Sequence, residues 1–541
     1  MSQGSTVPLG TETYHYMDRL DIKYSKIQPL SFMADKPLWR PKVGEYAENL
    51  ALSNLSFNKV EQYQIEYLMK DNNEWLDSLD MMSKKPFIKV LYTRPDAFYS
   101  YQSKNEVFTF KINPVLHLNV GAETNGAGLK FINTRGVELR FNLKKTVGFY
   151  TYFTDNQMRN ANYVGQFIQE EEAVPGEGFY KNLLNNGADF FTARGYVDFT
   201  VLDHLYFKFG YDKNFIGNGY RSMFLSDFSN SMLFLQFNIK VWRMNYQSIF
   251  AEMTQQYTRG ADQLLPKKYA AFHHLNFSFT HWLDIGFFEG VIFNRDGQFE
   301  LHYLNPIIFY RSIESDLGSA DNSVLGMDFK ANMFGTTQLY GQFLLDEFNY
   351  QEIRQNDGWW GNKFGWQLGF KYIDIFGLKN VDVQLEYNGA RPYTYTHRTT
   401  ANYTSYNQAL AHPAGANFQE FIFIGRWQPI PKLRTSIKYF FISQGADSSG
   451  SNWGGDIFFP NVDASGGLTV EQEYGNKIGQ GVKQRTHMIN FRATYTVFHN
   501  FYLDLEIVYR NLNSELNGRD LNTFFFTTGL RWNLPFRNFD F

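Results

Sequence analysis

The segment from Phe215 to Asp227 combines residue types that can bind an anion or organise a protein interior. It holds two glycines, one arginine and several hydroxyl or carboxylate side chains: Gly217, Gly219, Arg221, Ser222, Ser226 and Asp227. Glycine permits positive φ and close backbone approach, so the segment can fold tightly while Arg221 reaches an acid or an anionic ligand. The G-x-G spacing has no helix after it and therefore does not make a phosphate loop.

Residue sets that would carry catalysis are missing from the sequence. There is no G-x-S-x-G or H-E-x-x-H motif, and no cysteine for a thiolate site. His273 and His274 are adjacent, so on a strand they point to opposite faces and cannot bind one ion together. Asp504 and Glu506 could imitate a glycosidase pair, but ion pairing explains them more simply. We expect no catalytic residues, no metal site and no cofactor.

Two long segments, 392–418 and 445–484, carry side chains suited to sugars. Aromatic rings can pack on the C–H faces of sugars, and neighbouring polar groups can bind the hydroxyls. The candidates are Tyr393, Tyr395, Tyr403, Tyr406, Asn407, His412, Asp447 and Trp453. An alternative of equal weight is that these rings only pack the loops against each other.

The stretch 445–456 faintly resembles a calcium loop, but no glutamate stands at its twelfth position, which disfavours calcium.

Alternating side chains indicate the elements that must position these residues. In the segment 381–388 one row is Val, Val, Leu and Tyr, and the other is Asp, Gln, Glu and Asn. Strand side chains point alternately to opposite faces, so such a strand has an apolar and a polar side. Arg or Lys facing lipid at mid-depth costs roughly 2–4 kcal/mol, so the charged rows must face a lumen. The last strand and the terminal Phe541 are typical of bacterial outer-membrane barrels.

Composition favours the same class of protein. Aromatic residues make up 18% of the 541 residues, and Tyr and Trp favour membrane–water interfaces. The mean hydropathy of −0.39 and the lack of a run of roughly eighteen apolar residues argue against a helical membrane protein. The net charge of −3 does not suggest a nucleic-acid partner.

The alternating segments predict an all-β transmembrane barrel of about eighteen antiparallel strands, an even number as is usual for single-chain bacterial barrels. They lie near 106–118, 134–143, 146–154, 189–200, 204–212, 230–239, 241–253, 268–280, 283–294, 322–333, 336–347, 362–375, 379–391, 419–428, 432–444, 485–497, 500–511 and 521–533. Tight turns such as 144–145, 202–203, 334–335, 376–378 and 429–431 alternate with the long segments 155–188, 213–229, 295–321, 392–418 and 445–484. The mixed charge of the lumen rows predicts an interior plugged by loops. The alternation of short and long connections predicts that the barrel begins and ends on the periplasmic side.

The first hundred residues follow a different pattern. Asn58 and Glu61 have capping-box spacing, and Val43, Tyr46 and Leu50 form a helical stripe. We predict a small periplasmic helical module with a linker in 1–100 and the outer-membrane barrel in 101–541. The chain begins without the apolar region of a signal peptide, so we expect that its export signal is missing from this sequence.

Several blocks together resemble the Wzi-like capsule-assembly family of outer-membrane proteins, including its gliding-motility-associated members in Bacteroidota. The blocks are the segment 215–227, the stretches 303–311 with Asn305 and Arg311, 321–322, 325–326, 410–413, 415–417 and 452–458, and the N-terminal 16–20. The resemblance implies an eighteen-stranded, internally plugged barrel with a periplasmic helical part. It also implies a lectin-like role in holding capsular polysaccharide at the cell surface.

The expected function is therefore a non-catalytic outer-membrane barrel that binds or anchors surface polysaccharide, with links to gliding or adhesion. Its expected partners are that polysaccharide and the bilayer with its lipopolysaccharide. Two alternatives stay open: an accessory subunit of an outer-membrane secretion, motility or assembly complex, and a diffusion porin. Fold transfers within such a family more safely than function.

Overall fold

The computed structural model describes the chain in ranges with short gaps. These are residues 4–76, 83, 90–103, 107–124, 126, 128–144, 146–183, 186–202, 204–256, 258, 260, 263–295, 297–305, 309–318, 321–463 and 465–541. Parts of some predicted features lie outside the described residues: 84–89 of the linker, Lys145 and Asp203 in two tight turns, and 306–308 in one family block.

Within these ranges, eighteen long antiparallel strands close into one barrel. They are Phe108–Glu123, Lys130–Leu143, Val147–Arg159, Gly187–Leu202, Leu205–Asp212, Met232–Val241, Met244–Thr254, Lys267–Ser278, Leu283–Phe293, Asn322–Met333, Thr337–Glu347, Lys363–Tyr372, Val381–Ala390, Phe418–Ile430, Leu433–Ala446, Val482–Phe498, Phe501–Ser514 and Leu521–Trp532. The last strand pairs with the first from Phe525↔Glu123 to Trp532↔Leu116, so the wall has no free edge. The predicted fold class is confirmed.

The two faces of the wall divide as the alternation predicts. On the last strand Phe524 and Phe526 are 45% and 39% exposed, whereas Phe525 and Arg531 between and beyond them are buried. The acids of the 381–388 segment, Asp382 and Glu386, are buried in the lumen, as are their neighbours on that row. The apolar rows therefore form the outer surface that a bilayer would cover.

Short turns and long segments occupy opposite ends of the barrel. At the short-turn end Trp242, Phe334 and Phe376 are strongly exposed, as expected for aromatic residues at a membrane interface. Trp242 and Phe334 have positive φ. The long segments at the other end contain helix α4, Asn162–Glu170, helix α6, Tyr350–Gln355, and the short pair Thr404–Ser405 with Gln408–Ala409.

Three N-terminal helices fill the short-turn end: α1, Glu12–Tyr24; α2, Arg40–Ala51; and α3, Lys59–Asp71, followed by the 3-10 turn Asn73–Trp75. Asn58 caps α3 and forms the predicted capping box with Glu61. Val43, Tyr46 and Leu50 are buried in one cluster with residues of α1 and α3, so the helical stripe is a packing surface.

No helix in the described ranges has the length and apolar character needed to cross a bilayer.

Ion pairs join the N-terminal segment to the inner wall. Arg19 of α1 contacts Asp374 at 2.5 Å and also binds Asp382. Lys330 lies 3.0 Å from Asp21. His274 on the wall bridges Asp35 of the N-terminal segment, at 2.5 Å, and Asp328, at 2.7 Å. The N-terminal segment therefore occupies part of the lumen at that end, and loops are not its sole filling.

The C-terminal tail after Trp532 is a second filling that the alternation did not indicate. We expected the chain to end at the short-turn mouth, but residues 533–541 turn back into the lumen. Asp540 binds Arg221 and Lys438, and Phe541 packs against Phe167 of α4 with ring centroids 4.6 Å apart. The tail turns inward because buried cations in the lumen pair with Asp540, whereas at the mouth the tail would contact only solvent.

Two long segments leave the wall in opposite directions. The segment 213–229 folds inward, where Phe215–Ile216 pairs with Asp35–Lys36. The segment 295–321 was expected to be a surface loop or to enter the lumen. Instead its turn Leu301–Leu304 and helix α5, Tyr310–Asp316, lie on the outside of the wall, with Tyr310 bound to the outward His273. This placement buries the outward-facing polar side chains of His273 and Glu289.

Candidate functional site

Arg221 is the centre of a charged network inside the barrel. Its Nη2 lies 3.0 Å from Glu420 Oε1, and its Nη1 lies 3.3 Å from Asp540 Oδ1. Lys438 also approaches Asp540, at 3.4 Å. Burial raises the pKa of Asp540, but Lys438 and Arg221 outweigh burial and hold that pKa below its usual range. Of the two partners that the sequence left open for Arg221, an acid or an anionic ligand, the chain itself supplies acids, Glu420 and Asp540.

The two glycines bring the segment's backbone against polar side chains of the wall. A Cβ at Gly219 would lie 2.5 Å from Gln367 Oε1, and one at Gly217 would lie 2.8 Å from Gln342 Nε2. Because Gly219 has no side chain, the amides of Tyr220 and Arg221 donate to Glu386 at 2.6 and 3.0 Å. A larger residue would push the loop away from the wall.

The hydroxyls of the segment fix its path. Ser222 Oγ donates to Ile216 O at 2.5 Å within the same loop, and Ser226 Oγ donates to Ala411 O at 2.5 Å. His412, next to Ala411, lies 2.6 Å from Glu420 through Nε2. Burial lowers the pKa of His412. The lumen loop and the 392–418 segment therefore meet around Glu420, a contact that the sequence did not reveal.

A chamber of about 430 Å³ lies beside this network. Its walls come from the N-terminal segment, the lumen loop and the C-terminal tail, and they include Gly219, Arg221, Ser226 and Asp227. Eleven Lys or Arg and seven Asp or Glu side chains line it. The chamber is therefore polar and carries more positive than negative groups, which favours anions over cations.

The candidate sugar platforms of the 392–418 segment do not face solvent. Tyr393, Tyr395 and Tyr403 are at most 1% exposed, and Tyr406 and Asn407 are also buried. Tyr395 and Tyr403 donate to Met223 O and Phe224 O, each at 2.8 Å. These tyrosines offer no exposed ring to a sugar, because their rings pack the loop onto the lumen segment. The packing alternative describes them.

The 445–456 stretch is held by its own carboxylate. Asp447 accepts hydrogen bonds from the backbone of Trp453, at 2.5 Å, and of Asp456, at 2.7 Å. Trp453 is half-buried and its carbonyl accepts from Gln480 at 2.9 Å. Both oxygens of Asp447 are engaged, so this stretch is a folded structural loop.

Aromatic residues that the sequence analysis did not single out lie at the long-loop surface. Tyr474 is 49% exposed and Phe459 is 40% exposed. Residues 473–476 pair with the 357–360 turn, through Trp360 N to Glu473 O at 2.9 Å and Gly475 N to Asp357 O at 2.7 Å. The half-buried Trp359 belongs to that turn. In the sequence, two adjacent tryptophans flanked by glycines, Trp359 and Trp360, could have indicated this aromatic surface.

The remaining candidate pairs are structural. Asp504 pairs with Arg531 at 2.8 Å, and Glu506 with Arg492 at 3.4 Å, as lumen ion pairing predicts. His273 and His274 do point to opposite faces. Among the described side chains, no three His, Asp or Glu residues are arranged to hold a metal ion.

Two residues of the 303–311 family block lie on the outside of the wall. Asn305 ends the outer-wall turn, and Arg311 pairs with Glu314 of α5 at 2.7 Å. They lie at the outer-wall elements, the turn Leu301–Leu304 and helix α5, respectively. There the amide of Arg311 donates to the outward Glu289 at 3.1 Å.

No protein-family model matches the sequence. No curated protein matches it either. Among solved structures, the fold is similar to Wzi, an outer-membrane protein involved in group 1 capsule assembly in Escherichia coli and described as a carbohydrate-binding β-barrel. The TM-score is 0.60 at 13% identity, over 99% of this chain and 100% of that chain. Pseudomonas aeruginosa OprD matches with a TM-score of 0.43 and 11% identity, over 79% and 96%.

The fold and its contents define a class of protein. The chain is an eighteen-stranded barrel of the outer-membrane type, and its lumen holds N-terminal helices, an inward loop and the C-terminal tail. At 13% identity the likeness to Wzi shows the fold alone.

Proposed function

We propose that this protein is a non-catalytic outer-membrane barrel that binds surface or capsular polysaccharide. The observation that carries the proposal is the filled lumen, in which ion pairs hold the tail, the inward loop and helix α1, and helices α2 and α3 pack against α1. Such an interior suits a rigid support for surface loops better than a path for solutes. The likeness in fold to a carbohydrate-binding barrel supports the same choice.

We place the glycan contact at the surface formed by 357–360 and 473–476. Tyr474 offers an exposed ring, and Trp359 lies in the paired turn. Asp357, Glu352 and Glu473 carry charges near the Tyr474 hydroxyl, and carboxylates are good acceptors for sugar hydroxyls. Aromatic and acceptor groups on one surface are the usual requirements of a sugar site.

A glycan array with the purified protein in detergent tests this proposal. We expect binding to one or a few polysaccharides, including the capsule of the source organism, and a loss of at least tenfold in affinity for Tyr474→Ala. Phe179→Ala is the matched control, because Phe179 is 59% exposed in a different long segment. Silence of the wild type on the array, or equal losses in both variants, would count against the proposal.

Two other functions are distinguished by separate measurements. An accessory subunit of a secretion, motility or assembly complex would retain stable protein partners after gentle native extraction. A diffusion porin would conduct in planar bilayers, and we expect a closed baseline because helices, the inward loop and the C-terminal tail occupy the lumen.

We further propose that residues 1–100 form the periplasmic helical part and 101–541 the barrel, with the short turns in the periplasm. The sequence resemblance also suggests a link to gliding in Bacteroidota. If a strain that lacks the gene keeps normal gliding and normal surface polysaccharide, the proposed link to gliding is contradicted. Protease added to intact cells should leave the helical part uncut if its orientation is as proposed.

A further inference from the structure

Two cations on the inner wall bind one oxygen atom of the C-terminal tail. Lys438 Nζ donates to Asn538 Oδ1 at 3.1 Å, and Arg492 Nη2 donates to the same atom at 2.8 Å. All three side chains line the chamber. The two cations are largely buried, whereas Asn538 is exposed on the chamber side. A single oxygen at this position is therefore within hydrogen-bond reach of both cations.

The register of the strands explains why the two cations converge. Ser436 and Arg492 are direct partners on adjacent strands, and Lys438 follows Ser436 by two residues on the same face. Lys438 and Arg492 are therefore diagonal neighbours, about 7–8 Å apart, which two long side chains span easily. Arg426 is the partner of Ser436 on its other side. The positive charges of Arg492 and Arg426 both act on Lys438.

The carboxylate that pairs with Lys438 does not belong to that lysine alone. Asp540 lies 3.4 Å from Lys438, but Arg221 lies 3.3 Å from the same carboxylate and Tyr220 also donates to it. The shorter hydrogen bonds of Lys438 go to neutral oxygens, to Tyr220 at 2.8 Å and to Asn538 at 3.1 Å. Asp540 therefore balances the charge of Lys438 only in part.

The two arginines are not paired more tightly. Arg492 lies 3.4 Å from Glu506, which accepts a shorter bond of 2.8 Å from Asn490. The Nε of Arg492 is buried and has no hydrogen-bond partner in the part of the chain that the structure describes. Arg426 faces Asp382 across the strand pair, but Asp382 binds helix α1. Ion pairs with good geometry have N–O distances of about 2.7–2.9 Å, so these cations have unused capacity for an anion.

The amide of Asn538 is a weak partner for two cations. Its oxygen is neutral, whereas a carboxylate or phosphate oxygen adds a Coulomb attraction to each cation and accepts from both at once. Because Asn538 is exposed to the chamber, its side chain can turn away from the wall without disturbing a buried contact. The position is therefore suited to an exchange of the amide for an anionic ligand.

We propose that Lys438 and Arg492 form an oxyanion-binding site in the chamber, and that the Asn538 amide occupies the ligand's place in this structure. The ligand supplies a carboxylate or phosphate oxygen where Asn538 Oδ1 lies. Ser436 lines the chamber between the two cations and adds a hydroxyl donor. The chamber of about 430 Å³ is large enough for a free phosphate ion or for one acidic sugar unit. The site is separate from the glycan surface around Tyr474.

Isothermal titration calorimetry on the full chain in detergent at pH 7 tests the site. The ligands are inorganic phosphate, glucuronate as an acidic sugar, and glucose as its neutral counterpart. We expect phosphate, glucuronate or both to bind at one site per chain, and glucose not to bind there. Binding of phosphate alone identifies a free ion as the source, and binding of glucuronate identifies a sugar acid. Failure of both at millimolar concentration, or equal binding of glucose and glucuronate, overturns the proposal.

Variants of Asn538 test the assignment while both cations stay in place. Asn538→Ala removes the competing oxygen and should tighten ligand binding at least threefold. Asn538→Asp puts a carboxylate between the cations, so it should block the ligand and raise the urea midpoint of unfolding in lipid vesicles. Asn517→Asp is the matched control, because Asn517 is exposed in a turn outside the chamber and undergoes the same change of charge. Unchanged ligand binding in Asn538→Asp, or a midpoint no higher than that of the wild type, overturns the site.

Variants of the two cations complete the test. Lys438→Gln and Arg492→Gln should each weaken binding at least tenfold, whereas Lys181→Gln, at an exposed lysine outside the chamber, should have no effect. Unchanged binding in both chamber variants refutes the assignment, and the Asn538 variants decide if the chamber variants fail to fold. Tyr474→Ala should keep this binding, so a failure of the oxyanion site is distinguishable from a failure of the glycan surface.

Discussion

The Arg221 network permits a quantitative test of how the lumen is held together. Replacing Arg221 with methionine keeps much of the side-chain length but removes the cation from Glu420 and Asp540, both of which are buried. Removing one partner of a buried ion pair typically costs about 3–5 kcal/mol. Lys438 remains 3.4 Å from Asp540 and His412 remains 2.6 Å from Glu420. We therefore expect the low end of that range, about 3 kcal/mol.

Equilibrium urea unfolding in lipid vesicles, followed by tryptophan fluorescence, measures this loss. The matched control is Arg519→Met, because Arg519 pairs with Glu170 at 2.9 Å with both side chains about 40% exposed. An exposed pair contributes about 0–1 kcal/mol. The reasoning is refuted if the two variants lose equal stability. The double variant with Asp540→Asn should lose less than the sum of the single losses, since the two residues are in contact.

Three further predictions follow from other regions. Tyr310→Phe should destabilise the protein by about 1–3 kcal/mol in the same assay, because it leaves the outward His273 without its hydroxyl partner. Asn58→Ala should cost about 1 kcal/mol by removing the cap of α3, and Asn58→Ser should restore most of it. Lys36 and Lys213 have a folded pKa of about 8 against an ordinary 10.5, so stability should rise between pH 8 and 10, where the unfolded chain holds more protons. The rise, at most about 3 kcal/mol per lysine, should be missing in the double Lys→Gln variant, and an identical pH profile would contradict it.

The sequence by itself determined the wall of this protein. Each strand reveals its two faces through a period of two, which depends only on the nearest residues and on whether lipid or lumen lies beside them. The polar row of segment 381–388, which includes Asp382 and Glu386, was therefore assigned correctly to the lumen. The cap at Asn58 is equally local, because its hydrogen bonds span three residues.

Only the tertiary structure decided what fills the barrel. The partners of Arg221 lie 199 and 319 residues further along the chain, and no local pattern selects them. Exposed and buried tyrosines look alike in a loop sequence, so the sequence could not choose between sugar binding and the packing of Tyr395 and Tyr403 that the structure shows. The inward turn of the tail and the outer-wall position of α5 depend on partners that come together only when the barrel closes. Local alternation sets which side of the wall a residue faces, and closure sets which distant residues share the space inside.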